Sequence, residues 1–249
     1  MKWIYLSPHL DDVIYSCGGL IWEQTLAGEA VEIWTICAAD PPDEPLSPFA
    51  ETLHQNWGLG KNAVHVRREE DRKASQVVGA VPRYFSFLDC IYRKSDSGNY
   101  YYLSDQDLFG GLDPGEANLI ITLTEELKDQ LPAAARIVVP LGIGNHVDHD
   151  LTRKAASRLG KPLYYYADYP YARETEGKEI LKFMGGSAEW EEEIFLISEK
   201  GSQGWQEASR SYQSQTPIFW ENEEALKEEI LAYSSSMGGV RLWKTAAAD

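Results

Sequence analysis

The chain has 249 residues, 43% of them hydrophobic and 25% charged, close to the averages of folded globular proteins and far from those of a disordered chain. Its formal net charge of −16, from 23 Lys and Arg against 39 Asp and Glu, makes nucleic acid and anionic membrane poor partners. Cys17, Cys37 and Cys90 cannot build a disulfide framework and show no CxxC spacing, which points to a reducing compartment. The apolar run Trp3-Ile4-Tyr5-Leu6 is too short for a signal-peptide core, and no uninterrupted apolar run approaches the roughly 18 residues of a membrane span. The expectation is a cytoplasmic protein without membrane insertion.

In chain order, that same short run, closed by Ser7-Pro8, reads as a buried first strand opening into a polar loop. Ile14, Cys17, Leu20 and Ile21 then recur at helical spacing, with Asp11 or Asp12 able to cap the start and Gly28 the stop. A second strand is predicted over 31–39. Residues 40–60 hold four prolines and read as one long loop, the kind of connection that carries function. A helix over 66–78 and a third strand over 84–88, ending in Asp89, establish a strand-loop-helix rhythm. The polar and aromatic stretch 92–114 reads as a hairpin or as an ordered excursion. A helix over about 115–130, a strand over 136–140, a loop over 141–147, a helix over 148–159 and a strand over 163–167 resume the rhythm. A strand over 194–198, helices over about 202–213 and 222–234, and an edge strand over 240–243 complete the chain. Strands alternating with helices predict an α/β fold with a mostly parallel sheet covered on both faces. No repeat or composition break marks a boundary, so one domain over residues 1–249 is expected.

Three of the five histidines, His9, His146 and His149, fall in two short loops, each just after a predicted strand, where α/β folds place their sites. The first loop reads Ser7-Pro8-His9-Leu10-Asp11-Asp12 and the second Gly144-Asn145-His146-Val147-Asp148-His149-Asp150. Each offers imidazole and carboxylate together, and two imidazoles plus one carboxylate suit a catalytic zinc, or iron or manganese, with an open position. Both loops also have plainer readings, Asp-Asp as an N-cap and HxxH as a surface feature of a helix. Gly142-x-Gly144 lacks the third glycine and the ribose-binding acid of a dinucleotide fingerprint. Cys17 and Cys37 read as core residues, Cys90 as the one cysteine near the site, and His54 and His65 take no role.

With these motifs in place the chain resembles the PIG-L or LmbE-like deacetylases, which include the N-acetylglucosaminylphosphatidylinositol, mycothiol-pathway and bacillithiol-pathway enzymes. Pro8-His9-Leu10-Asp11-Asp12 is similar to the family's PHxDD motif and His146-Val147-Asp148-His149 to its HxDH motif, in the same order. Arg67-x-x-Glu70 with Ala74 and Gly79, and Phe87-Leu88-Asp89 ending the next strand, are two further matches. The resemblance implies a Rossmann-like three-layer fold and one zinc per chain, bound by His9, Asp12 and His149. Asp11 is then the general base facing the activated water, His146 polarises the amide carbonyl, and Arg67 and Asp89 contact sugar hydroxyls. The local spacing also permits Asp148 to hydrogen-bond the His146 ring and set its tautomer.

Two departures, Val13 where many members have an acid and Leu10 where others have proline, leave these roles intact. No aromatic hydroxyl stands before His146 to assist the leaving group, and the candidates to replace it are Tyr164, Tyr165, Tyr166 and Tyr169.

The expected activity is metal-dependent removal of an acyl group, acetyl in the simplest case, from the nitrogen of a small amino sugar or its conjugate. A homo-oligomer is compatible with it. A hydrolase of another linear amide would use the same loops. A two-metal phosphoesterase would need more ligands than the loops offer. A carbohydrate-binding or interaction module on the same fold would have no use for a base such as Asp11.

Overall fold

The computed structural model describes residues 1–174 and 190–245. Its strands are β1 Lys2–Ser7, β2 Ala30–Thr35, β3 Val81–Tyr84, β4 Arg136–Pro140, β5 Leu163–Tyr166, β6 Trp190–Phe195 and β7 Val240–Thr245. They form one sheet in the order β3-β2-β1-β4-β5-β7-β6. The first five are parallel to one another, and β7 runs antiparallel to both β5 and β6. The helices are α1 Asp12–Leu26, α2 Pro48–Asn56, α3 Ala63–Val77, α4 Asp105–Leu108, α5 Ala117–Gln130 and α6 Val147–Ser157, then α7 Glu199–Arg210, α8 Thr216–Phe219 and α9 Glu223–Ser236. None of the described helices is long and apolar enough to cross a membrane.

Alternation along β1 divides the core. Ile4 and Leu6 pack with Leu123 and Leu127 of α5 and Leu151 and Ala155 of α6. Trp3 and Tyr5 face the opposite layer, with Ile14 and Ile21 of α1, Ala74 of α3, Trp205 of α7 and Ile230 of α9. The chain leaves β1 toward β2 and β3 on one side and reaches β4 and β5 on the other. The strand order therefore reverses between β1 and β4, and the loops after these two strands open side by side into a crevice. A third apolar cluster lies over the loops at this end and includes Leu10 and Val147, the residues beside the two histidine motifs.

The architecture and the parallel sheet agree with the sequence reading; several elements differ. Residues 40–60 are not one loop but contain α2, capped by Ser47, whose Oγ accepts from the Ala50 N–H at 3.0 Å, with Pro48 in the first turn. The third strand lies at Val81–Tyr84 rather than over 84–88. Phe85 and Phe87 are buried because they pack into the core from a loop held to β2 by single contacts, such as the Phe85 N–H to Thr35 O at 2.8 Å. The strand expected over 194–198 begins at Trp190, its polar run Glu191-Glu192-Glu193 belonging to a sheet edge. β7 is interior, between β5 and β6, so the edge strand is β6. The 92–114 stretch combines both readings, a turn pairing Lys94 with Tyr100 followed by α4.

Helices α1 and α7 approach closely through glycine. A Cβ on Gly18 would stand 2.5 Å from Cδ1 of Trp205, a fully buried ring whose Nε1–H donates to the Ile14 carbonyl at 2.7 Å. Replacing a mid-helix glycine by alanine ordinarily gains about 1 kcal/mol from helix propensity. Overpacking a core costs about 1–3 kcal/mol. Gly18→Ala is therefore expected to lower stability, and a urea midpoint equal to or above wild type would show that the ring has room to move.

Candidate active site

The loop after β1 is a tight turn. The Ser7 hydroxyl donates to the His9 carbonyl at 2.6 Å and accepts the Val13 N–H at 3.2 Å, which starts α1 directly behind the histidine. Asp11 stands at the N-cap position of α1, but its side chain makes no capping hydrogen bond; its Oδ2 lies 3.5 Å from Nη2 of Arg67 on α3. Asp12 turns the other way. Its Oδ2 accepts the His9 N–H at 2.8 Å and stands 3.3 Å from His9 Nδ1, while its Oδ1 stands 3.3 Å from His149 Nε2.

Each of these two imidazoles is held from behind by a carboxylate. His9 Nε2 lies 3.0 Å from Asp148 Oδ2, and His149 Nδ1 lies 2.6 Å from Asp168 Oδ1. Asp168 is itself fixed by the N–H groups of Gly142 and Ile143 at 2.8 and 2.9 Å, and Asp148 by Arg93 and the Cys90 N–H. His149 Nε2 is buried and has no hydrogen-bond partner. It faces Asp12 Oδ1 at 3.3 Å, so one nitrogen of the ring is pinned by a carboxylate and the other faces a second carboxylate without a hydrogen bond, an arrangement that suits a metal-binding histidine. Ligand atoms of His9, His146 and His149 also lie within 4.8 Å of one another.

His146 is a different case. It caps α6, its Nδ1 accepting the Asp148 backbone N–H at 3.2 Å. That bond places the proton of the neutral ring on Nε2. The tautomer is thus set by the backbone of Asp148 rather than by its carboxylate, which is engaged with His9, Arg93 and Cys90; this corrects the expected side-chain contact.

The electrostatics follow from this packing. Burial would depress His9, but its bonds to Asp12 and Asp148 raise it well above its ordinary value. Burial opposes His149 too, yet Asp12 and Asp168 lift it to about 10. Asp12 and Asp148, which burial alone would raise, are held well below the usual carboxylate range, Asp12 chiefly by His149 and Asp148 chiefly by Arg93. Burial pushes Asp11 up to about 6 against the pull of Arg67. Burial and the adjacent His9 hold His146 well below its ordinary value. Two imidazoles turned on one carboxylate enclose a place that positive charge must fill, by protons or by a cation.

These groups open on a cleft of about 370 Å³ with an apolar mouth that includes Trp57, Phe109, Tyr171 and Phe219. Asp89 and Arg67 both line it. Trp57 does not offer a free face: Arg67 covers its ring at 4.9 Å, and His54 stacks at 5.3 Å between centroids. None of the four proposed tyrosines reaches the cleft. Tyr164 packs on Trp3, Tyr165 on Trp190, the Tyr166 hydroxyl bonds Leu6 O, and that of Tyr169 bonds Glu229; Tyr171 lines the cleft instead. Sequence reasoning also passed over Asp168, Arg93 and Gln215. Asp168 carried a signal, an acid just past the end of a parallel strand.

The profile of the PIG-L family, described as GlcNAc-PI de-N-acetylase, matches residues 4–159. A 2'-N-acetylparomamine deacetylase of Niallia circulans is 30% identical over 188 residues, 68% of this chain and 66% of that protein, so the match spans about two thirds of the relative's length. Among solved structures, the zinc-inhibited form of teicoplanin deacetylase Orf2 shares the fold, with a TM-score of 0.85 at 23% identity, covering 100% of this chain and 99% of the other. The A40926 pseudoaglycone deacetylase Dbv21 gives a TM-score of 0.71 at 26% identity, covering 99% and 98%.

Asp148 is fully buried, and the Arg93 guanidinium, 5% exposed, is its strongest partner. Removing one member of a buried ion pair costs about 3–5 kcal/mol because the other charge stays buried. Arg93→Leu should lose that much in urea denaturation, whereas a loss below about 1 kcal/mol, the worth of a surface pair, would show that Asp148 is sustained by its other partners.

Proposed function

The chain belongs to the PIG-L family, and from that premise we propose that it is a zinc-dependent hydrolase that removes an acyl group, acetyl in the simplest case, from the nitrogen of an amino sugar or its conjugate. One arrangement carries this reading. Two imidazoles, each braced by its own carboxylate, turn on Asp12 beside a paired carboxylate, Asp11, and a neutral imidazole, His146. The deacetylase names of the relatives support the same substrate class.

In this proposal His9, Asp12 and His149 hold one zinc, the buried Nε2 of His149, which makes no hydrogen bond and faces Asp12 Oδ1 at 3.3 Å, being the observation that fits a metal there. When bound, zinc makes water nucleophilic near neutral pH and polarises a carbonyl. Asp11 takes the proton of the attacking water and returns it to the departing amine, for which a carboxyl lifted to about 6 is well matched. His146 donates its Nε2–H to the amide oxygen as negative charge develops there, a contribution of about 3 kcal/mol. Asp148 acts behind His9 and Asp168 behind His149, fixing ring orientation. Asp89 meets sugar hydroxyls, and Arg67, engaged with Asp11, forms the wall behind the base. A single domain over residues 1–249, working in the cytoplasm on small molecules, completes the reading.

Chelation should abolish amine release from N-acetylated amino sugars and zinc should restore it, at about one metal per chain. Asp11→Asn should keep the metal and lose turnover by about 10²- to 10⁴-fold; near-normal turnover would remove Asp11 as the base. His149→Ala should lose the metal itself, and full occupancy in that variant would move the ligand set elsewhere.

The raised values of His9 and His149 give metal uptake a definite pH dependence. Both imidazoles are protonated in the metal-free protein and must lose those protons to bind, so affinity should rise with pH across roughly pH 6 to 8 with release of about two protons. Calorimetry in buffers of different ionisation enthalpy measures that number, and zero release would exclude the two imidazoles as ligands.

A further inference from the structure

The wall of the cleft beside the base comes from a segment far along the chain, and α3 holds it in place. Arg67, Glu70 and Asp71 stand at i, i+3 and i+4 and so share one helix face. Arg67 goes to Asp11. Glu70 accepts the Ser214 N–H on Oε1 at 2.9 Å and the Ser214 hydroxyl on Oε2 at 2.6 Å, and Asp71 accepts the Tyr212 hydroxyl at 2.7 Å. The segment from Tyr212 to Gln215 is thereby anchored by two adjacent carboxylates, both buried.

The proton count along this anchor sets the orientation of the next side chain. A carboxylate only accepts, so Ser214 gives its single hydroxyl proton to Glu70, and its oxygen is left to accept. It receives Nε2 of Gln215 at 3.1 Å. The amide nitrogen of Gln215 therefore faces Ser214, and its carbonyl Oε1 points the other way. Gln215 is 4% exposed and lines the cleft together with His9, Asp11 and Asp12. It lies outside residues 4–159, the part matched by the family profile.

We propose that Gln215 is a specificity-determining residue whose carbonyl oxygen, oriented by the Glu70–Ser214 relay, accepts a hydrogen bond from a hydroxyl of the amino sugar. The identity of the ligand rests on the deacetylase reading. An acceptor fixed in a buried wall discriminates because a sugar lacking the matching hydroxyl leaves the carbonyl without a partner. Its orientation is set before the substrate arrives, so little side-chain freedom is lost on binding.

The test compares N-acetylglucosamine with its 3-, 4- and 6-deoxy analogues on the full-length protein. Dissociation constants come from the metal-free form, where no turnover intrudes, and KM and kcat from the zinc-loaded form. Wild type should bind one of the three analogues about 3- to 10-fold more weakly than the parent, the range of a single neutral hydrogen bond. Gln215→Met, which keeps the length of the side chain, should lose that discrimination and leave the other two ratios alone, with its effect in KM rather than in kcat. Ser214→Ala, with its thermal midpoint recorded as a check on folding, should blunt the same ratio.

Equal binding of all three analogues by wild type, which requires no variant, would overturn the role of Gln215, as would a Gln215→Met protein that still discriminates. Either result, obtained while wild type releases amine, leaves the deacetylase reading standing. A zinc-loaded wild type that neither binds nor hydrolyses any of the four sugars would overturn that reading and this proposal with it.

Discussion

Everything at the carboxyl end of the sheet answers to one requirement: four buried carboxylates, Asp11, Asp12, Asp148 and Asp168, must be balanced locally. Ionised carboxylates leave water only when paired or well supplied with hydrogen bonds. Arg67 and Arg93 supply two fixed positive charges, against Asp11 and Asp148. Asp168 draws on the backbone N–H groups of Gly142 and Ile143. The remaining demand falls on His9 and His149, which stay charged well above their ordinary range for this reason. A cation at Asp12 satisfies the same demand and frees both rings to be neutral ligands. The electrostatic frame is thus the same with protons or with metal in place, so the charge that buries these groups also prepares them for a cation.

Topology explains why two loops more than a hundred residues apart meet there. β1 and β4 are direct neighbours in register, Trp3 opposite Arg136 and Tyr5 opposite Val138, although β2 and β3 intervene in the chain. The reversal of strand order at this pair leaves the space above their carboxyl ends uncovered by a crossover helix. His9 and His149 project from the two rims. Leu10 and Val147, next to the histidine motifs, are buried in one apolar cluster and tie the rims together.

What the sequence revealed divides along physical lines. β4, at Arg136–Pro140, carries the continuous apolar run Ile137-Val138-Val139-Pro140 after Arg136, and its bounds were read as they stand because a strand buried on both faces gives a continuous signal. The two histidine motifs stood out because each puts imidazole and carboxylate within a few residues of one another just after a strand. β6 was displaced because three successive glutamates on an edge strand imitate a loop. α2 was missed although Ser47-Pro48 is a good helix start, because the prolines before it dominate the local pattern. The tautomer of His146 depends on which atom of Asp148 reaches it, and spacing says nothing of that. Arg93 acts on a carboxylate distant in sequence, so a local reading does not find it, whereas Asp168 had only the weak signal of an acid just past a parallel strand.

The same division suggests how the chemistry and its selectivity are shared out. The imidazoles, Asp11, Asp12 and the guanidinium behind the base all lie within residues 4–159, where the family profile matches. Asp168, which braces His149, and the aromatic and amide wall of Tyr171, Gln215, Ile218 and Phe219 lie beyond it. The two parts meet on α3, whose one face holds Asp11 through Arg67 and the wall through Glu70 and Asp71. A change in the wall can alter the shape of the cleft while the imidazole frame stays untouched. A change on α3 displaces base and wall together, since three side chains on adjacent turns share a single rigid support. Variation that reshapes the cleft without disturbing the imidazole frame is therefore expected in the 212–219 segment and not on the helix that carries it.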